Sequence, residues 1–266
     1  MDLTLVLELL LGTCTGFLAG LLGIGGGMLL VPFMTLILSH RGVGADLSVK
    51  MAIATSMATI LFTSLSSVRA HHRRGAVRWD LVRGLAPGIV LGGLLAGAGL
   101  FAVLKGTTLA GVFAVFVAFS ATQMLLDRKP AAARQMPGGA GRLAAGGLIG
   151  FVSGLVGAGG GFISVPFMTW CNVAIHHAVA TSAALGFPIA LANTVGYVAG
   201  GWNMPAPLPG ALGYLWLPGL AVIATASVLS APLGARTAHA MDVRQLKRAF
   251  ACTLYLLAAY MFTRAF

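Results

Sequence analysis

Three consecutive glycines occur twice in this chain: Gly25, Gly26 and Gly27 within GIGGG, and Gly159, Gly160 and Gly161 within GAGGG. Without Cβ atoms such a run lets another backbone or a ligand approach closely. A helix starting at Met28 or Phe162 points its unpaired first-turn amides, and the positive end of its dipole, into the space beside the glycines. An anion fits there. Small residues also let helices pack tightly, and a single GxGGG carries no more than that. Recurrence at corresponding places favours a site. A dinucleotide fingerprint is excluded, because no strand precedes either run and no βαβ unit surrounds it. Pro32 and Pro166 each stand five residues beyond the last glycine, where the missing amide keeps the following helix short.

Hydroxyls recur too. Thr55 with Ser56, and Thr181 with Ser182, end an ATS triplet in each half, and their O–H groups can donate to an anion without the desolvation cost of a fixed charge. Back-bonding to the helix carbonyl four residues earlier is the competing use. Asn193 joins them as a binding candidate, although polar groups inside apolar spans, Gln123 and Tyr197 among them, ordinarily make interhelical hydrogen bonds. Three ionisable residues are candidates for charge or proton coupling: Glu8, Lys50 and His177. Glu8 is the one carboxylate well inside an apolar stretch. Lys50 and His176 hold the same repeat position, and a cation at a helix start opposes the dipole, with snorkelling to the headgroups as the alternative account. His177, beside His176, supplies an imidazole, the side chain suited to a proton-coupled cycle. His71 and His72 adjoin Arg73 and Arg74 in a solvated basic segment. Cys14, Cys171 and Cys252 stand alone in apolar surroundings and read as buried free thiols. No cluster has metal-ligand spacing, and no cofactor is expected. No nucleophile, base and orienting group share a segment, which argues against an enzyme.

The elements that carry these residues belong in a bilayer. The 266 residues are 58% hydrophobic and 9% charged, with mean hydropathy +0.92, whereas soluble domains carry roughly 25% charged residues. Seventeen basic residues face six acidic ones, a net +11. The basic residues cluster between apolar runs, so they read as anchors of cytoplasmic loops and not as a nucleic-acid surface. A spanning helix needs about 20 apolar residues. Six stretches qualify: residues 49–68, 81–104, 107–126, 177–197, 212–233 and 246–263. Two more, 3–38 and 143–170, are broken by the glycine runs. The N-terminus lacks the basic region of a secretory signal and carries Asp2 and Glu8, so it is kept within the fold.

The two broken stretches are one stretch written twice. GFLAGLLGIGGGMLLVPFMT from Gly16 aligns without a gap on GFVSGLVGAGGGFISVPFMT from Gly150, and KMAIATS ending at Ser56 pairs with HHAVATS ending at Ser182. The chain therefore divides into a first transmembrane repeat at 1–126, a basic cytoplasmic linker at 127–142 and a second transmembrane repeat at 143–266. Charge sets the orientation. Arg69, Arg73, Arg74, Arg78 and Arg83 form one basic cluster, Arg128, Lys129, Arg134 and Arg142 a second, and Arg236, Arg244, Lys247 and Arg248 a third. All three share the cytoplasmic face if each broken element dips in and returns. Each half then comprises a Gly-broken helix hairpin plus three transmembrane helices, and the halves are inverted; a parallel four-plus-four arrangement is the alternative. The N-terminus and the uncharged loop 200–210 fall outside. The fold class is an all-α integral membrane protein.

At the duplicated Gly-rich run followed by VPFM, and then the ATS triplet, the sequence resembles the TauE/SafE family of sulfite exporter-like permeases. The resemblance covers essentially the whole chain, including HHRRGAVRWDL after the first ATS span. The loop SHRGVGADLSV makes the first half longer than the second before the triplet. The resemblance implies a multi-pass permease of the inner (plasma) membrane for sulfite, thiosulfate, sulfoacetate or another organic anion, often in export; some relatives are linked to assembly of respiratory enzymes instead. The expectation is a secondary transporter that exports a small sulfur-containing anion by alternating access. The anion sits between the two breaks, with proton coupling through Glu8 or His177 as an option. A carrier of another organic anion and a non-transporting assembly factor are the alternatives. The expected partners are the anion and the lipid bilayer.

Overall fold

The computed structural model describes residues 3–22, 26–126, 134–237 and 243–266. Within them the chain forms ten helices, five in each repeat. The first repeat holds α1 (Leu3–Leu22), α2 (Gly27–His40), α3 (Ala45–Arg73), α4 (Trp79–Val103) and α5 (Gly106–Leu126). The second holds α6 (Gly139–Val156), α7 (Gly161–Trp170), α8 (Ile175–Gly200), α9 (Leu217–Thr237) and α10 (Val243–Thr263). Near its end α4 widens into a π-helical stretch, Leu95–Leu100. The described strands are β1 (Ala211–Leu212) and β2 (Leu215–Trp216), an antiparallel hairpin ahead of α9.

Six of these helices, α3, α4, α5, α6, α8 and α9, are long and apolar enough to cross a membrane. Helix α10 carries a shorter apolar stretch, Arg248–Thr263. The span expected at 212–233 begins later than its hydropathy implied. Gly210 and Gly213 adopt φ of 79° and 56°, which close the β1–β2 turn, and the helix starts only at Leu217 with Pro218 as its second residue. The cysteine expectation also fails in two of three cases. Cys171 is buried, but Cys14 and Cys252 lie on the outward faces of α1 and α10, where hydrocarbon accepts a thiol as readily as the core does.

Each broken element turns back on itself. Helices of 14 and 10 residues extend about 21 and 15 Å, too short for a hydrocarbon layer of roughly 30 Å. Arg41, just past α2, pairs with Glu8 in the opening turns of α1 at 3.2 Å, while a Cβ on Gly26 would lie 2.9 Å from the Thr15 carbonyl. In the second repeat the Arg134 amide, ahead of α6, donates to the Trp170 carbonyl at the end of α7 (3.3 Å), and its guanidinium sits 4.8 Å over the Trp170 ring.

The packing pattern survives an exchange of the halves. The first helix of each repeat lies along the fourth helix of the other, α1 on α9 and α6 on α4; α3 packs on α8, and α5 on α10. Glycines at equivalent positions make the first contact possible. A Cβ on Gly16 would run into the Ser227 carbonyl of α9, and one on Gly150 into the Ile89 carbonyl of α4. Such close backbone approach is how helices associate where lipid offers no hydrophobic drive. The middle of α3, from Ser48 to Ile60, is buried throughout, so α3 and its partner α8 form the central pair.

Candidate functional site

The two glycine breaks meet. A Cβ on Gly27 would collide with the carbonyl oxygen of Gly157 and lie 3.4 Å from the Cα of Ala158. Gly157 itself, at φ 71°, ends α6, and Gly160, at φ 73°, caps the start of α7. Both conformations exclude most L side chains. The Gly160 carbonyl accepts from Ile163 (3.0 Å) and Ser164 (2.8 Å), and the Gly26 carbonyl from Leu29 (3.2 Å) and Leu30 (3.1 Å). No group among the described residues accepts from the amides of Gly159, Gly160, Gly161 or Phe162. These are helix-start donors held inside the protein, and the residues from Gly157 to Gly161 are all buried. Gly25 lies outside the described residues.

The ATS serines face the short helices of their own repeats. Ser56 donates to the Gly27 carbonyl at 3.4 Å, and Ser182 shares a 2.7 Å hydrogen bond with Ser164 in the first turn of α7. The threonines do something different. Thr55 accepts from the backbone amide of Trp216, and Thr181 from that of Arg78, both at 3.1 Å. Trp216 directly precedes α9 and Arg78 is the N-cap of α4, so each hydroxyl anchors the start of the other repeat's fourth helix. Neither back-bonding nor ligand contact describes this use, and nothing in the ATS triplet itself names the partner.

Comparison with known proteins then decides the family. The family model described as sulfite exporter TauE/SafE matches residues 8–261. The chain belongs to the TauE/SafE family. A protein of Haemophilus influenzae named probable membrane transporter protein is 34% identical over 261 residues, covering 98% of each chain. One of the same description from Methanocaldococcus jannaschii is 25% identical over 275 residues, covering 97% of this chain and 96% of that one. No solved structure matches the chain.

In this TauE/SafE chain the ionisable candidates are not gathered at the breaks. Glu8, only 3% exposed, is taken by Arg41, which also lies 4.5 Å over the ring of Trp216. The Lys50 ammonium is buried as well; it donates to the Ala102 carbonyl at 3.2 Å and sits 5.5 Å over the Tyr214 ring. Around it, Asp46 accepts from the Gly106 amide, and Tyr214 stacks edge-on against Phe101. His177 contacts the Ala76 carbonyl through Nδ1 at 2.8 Å. Each of these three therefore ties a helix end to a neighbouring segment.

Asn193 is fully buried, with its Nδ2 donating to Ile189 (2.8 Å) and Gly150 (3.4 Å) and its Oδ1 without a partner. Ile189, one turn earlier on α8, packs on Gly160, so Asn193 flanks the second break. Sequence reasoning missed Ser153. This α6 hydroxyl is 1% exposed, has no hydrogen-bond partner, and lies 3.2 Å from where a Cβ on Gly160 would stand. Its signal was present in the repeat alignment, where the first half has Ala19 at the same position.

Proposed function

We propose that this TauE/SafE protein is a secondary transporter of the inner (plasma) membrane that exports a small sulfur-containing anion, such as sulfite, thiosulfate or an organosulfonate like sulfoacetate. The observation that carries this reading is the meeting of two glycine breaks in the protein interior, with the amides at the start of α7 unpaired. Helix-start amides and dipoles favour negative charge, and backbone without partners is tolerated at membrane depth only where it is buried in protein or lines a wet cavity. The binding residues are Gly25, Gly26 and Gly27 with Ser56 on one side, and Gly159, Gly160 and Gly161 with Ser182 and Asn193 on the other. Thr55 and Thr181 contribute by holding α9 and α4 against this centre.

We further infer that the repeats are inverted, with the anion exposed alternately by rocking of one half on the other. Supporting this, Glu8, Arg41, Asp46, Lys50, Ala102, Gly106, Tyr214 and Trp216 are linked by contacts at one end of α3. His177, Ala76 and Arg78 meet at its other end, where α8 starts. The first hairpin opens among the former group, and the second at Arg134, ahead of α6. Glu8 and His177 are the groups through which a proton would be coupled.

The test is counterflow in liposomes loaded with sulfite, thiosulfate, sulfoacetate, taurine or simple carboxylates. Flux of sulfur-containing anions is expected. Carboxylate flux alone would remove the sulfur assignment, and no flux for any anion would favour an assembly role. Ser182→Ala should lower flux about tenfold, the worth of one hydrogen bond to a charged group, and lower the melting temperature modestly because Ser164 loses its buried partner, with the protein still folded. Undiminished flux in that variant would take the second break out of the binding site.

A further inference from the structure

The repeats part company after their third helix. In the first, residues 74–78 join α3 to α4; in the second, residues 201–216 join α8 to α9 and contain the β1–β2 hairpin. The extra length does not stand in solvent. Tyr214, Leu215 and Trp216 are all buried, and a Cβ on Gly213, in the turn, would lie 2.9 Å from the Val198 carbonyl at the end of α8.

What the hairpin covers is the opening turns of α3. The Trp216 amide donates to Thr55, the Trp216 ring lies 4.5 Å from the Arg41 guanidinium, and the Tyr214 ring lies 5.5 Å from the Lys50 ammonium. Two cations of the first repeat thus hold two rings of the second. Each cation is fixed in turn, Arg41 by Glu8 of α1 and Lys50 by the Ala102 carbonyl of α4. A cation on an aromatic face gains most where water is excluded, and Glu8, Lys50 and Trp216 are buried.

The other end of α3 lacks these parts. The gapless repeat alignment sets Arg142 against Glu8, the ATS alignment sets His176 against Lys50, and the paired threonines set Arg78 against Trp216. Arg142 is half-buried, and His176 and Arg78 are exposed. Arg78 spends its guanidinium on Asp80, two residues further along the chain. Where one end has a carboxylate, a buried ammonium and a buried indole, the other has two arginines and a histidine, which form no ion pair with one another.

Resting on the transport reading above, we propose that the β1–β2 hairpin is a lid on the outer mouth of the transporter, latched shut in this conformation by Arg41 on Trp216 and Lys50 on Tyr214. Opening to the outside lifts β2 from α3 and parts both rings from their cations. Glu8 is a positioning residue: it holds Arg41 over the indole and sets the strength of the latch without touching the transported solute. The inner mouth has no such cover. Rocking of the halves therefore meets a latch on one side alone, which makes the conformation closed to the outside the resting one.

The experiment uses the full chain in right-side-out vesicles, with Cys14, Cys171 and Cys252 replaced by alanine and Ala52→Cys as reporter. Ala52 is fully buried on α3, between Lys50 and Thr55. A membrane-impermeant maleimide added outside should label it slowly, and at least about tenfold faster in Arg41→Gln, which takes the cation off the indole. Glu8→Gln leaves the guanidinium in place but unheld and should give a smaller rise, with Glu8→Asp nearer the parent. Arg142→Gln, the equivalent place in the other repeat, should leave the rate unchanged. Parent-like labelling in Arg41→Gln and Glu8→Gln, both eluting as monodisperse protein, overturns the latch while counterflow still stands as the test of transport. Should Arg41→Gln fail to fold, Glu8→Gln decides alone. An equal rise in Arg142→Gln means general loosening and overturns the latch as well. Counterflow of no anion by the parent chain removes the transport reading whatever the labelling shows, and leaves the hairpin no mouth to close.

Discussion

Thr55 and Thr181 use their hydroxyls in one way, each accepting the amide that precedes the other repeat's fourth helix. Both hydroxyls are inaccessible to solvent, so removing one leaves a buried N–H with nothing to bond. Thr55→Val should destabilise the protein by about 1–3 kcal/mol. Thr55→Ser should restore most of that, since the oxygen is kept. Thermal unfolding in detergent distinguishes the two, and equal melting temperatures for Val and Ser would mean the Trp216 amide finds another acceptor. The same comparison at Thr181 should behave alike. That these residues matter was legible in the repeated ATS triplet. Their partners were not, because Trp216 and Arg78 lie more than a hundred residues away in chain order and neither is a residue type that advertises an amide needing an acceptor. Ser153 was hidden for a related reason: a lone serine in an apolar helix carries no meaning until the glycine it faces is known.

Helix association rests on where a backbone can approach another. Gly16 on α1 and Gly150 on α6 are equivalent positions, and a Cβ at either would strike a carbonyl on α9 or α4. Gly16→Ala and Gly150→Ala should each cost about 1–3 kcal/mol through forced displacement of the paired helices. Gly44→Ala is the control. Gly44 has φ −55°, and a Cβ there meets nothing within 4 Å, so the change should be neutral or slightly stabilising. Melting temperatures that fall equally in all three would show that loss of glycine itself, and not the close approach, is responsible. The helices were readable as apolar runs, and the breaks as glycine runs. The β1–β2 hairpin was not, because residues 211–216 are as apolar as the helix that follows, and only Gly210, Gly213 and Pro218 mark the difference. Nor did hydropathy reveal which helices pair, since α1 meets α9 and α6 meets α4 across the duplication.

At the scale of the whole molecule, the sequence argued by parity: three basic clusters share a face only if each broken element returns to the side it left. The return is visible in the Glu8–Arg41 pair and in the Arg134–Trp170 contact. Inversion follows if those two contacts lie on opposite membrane faces. Helix α3 has 29 residues, about 43 Å, and separates Asp46 and Lys50 at its start from the basic residues at its end. Gln135 adjoins the second hairpin's opening, and Ala206 lies in the uncharged segment between α8 and β1; both are exposed. In a background with Cys14, Cys171 and Cys252 replaced by alanine, a membrane-impermeant maleimide should label Ala206→Cys from the outer face and Gln135→Cys only from the cytoplasmic face. Right-side-out and inverted vesicles read the two directions separately. Labelling of both positions from the same side would make the repeats parallel, and the two helix starts would then enter the centre from one face, where their dipoles cannot alternate in presenting an anion to the two sides.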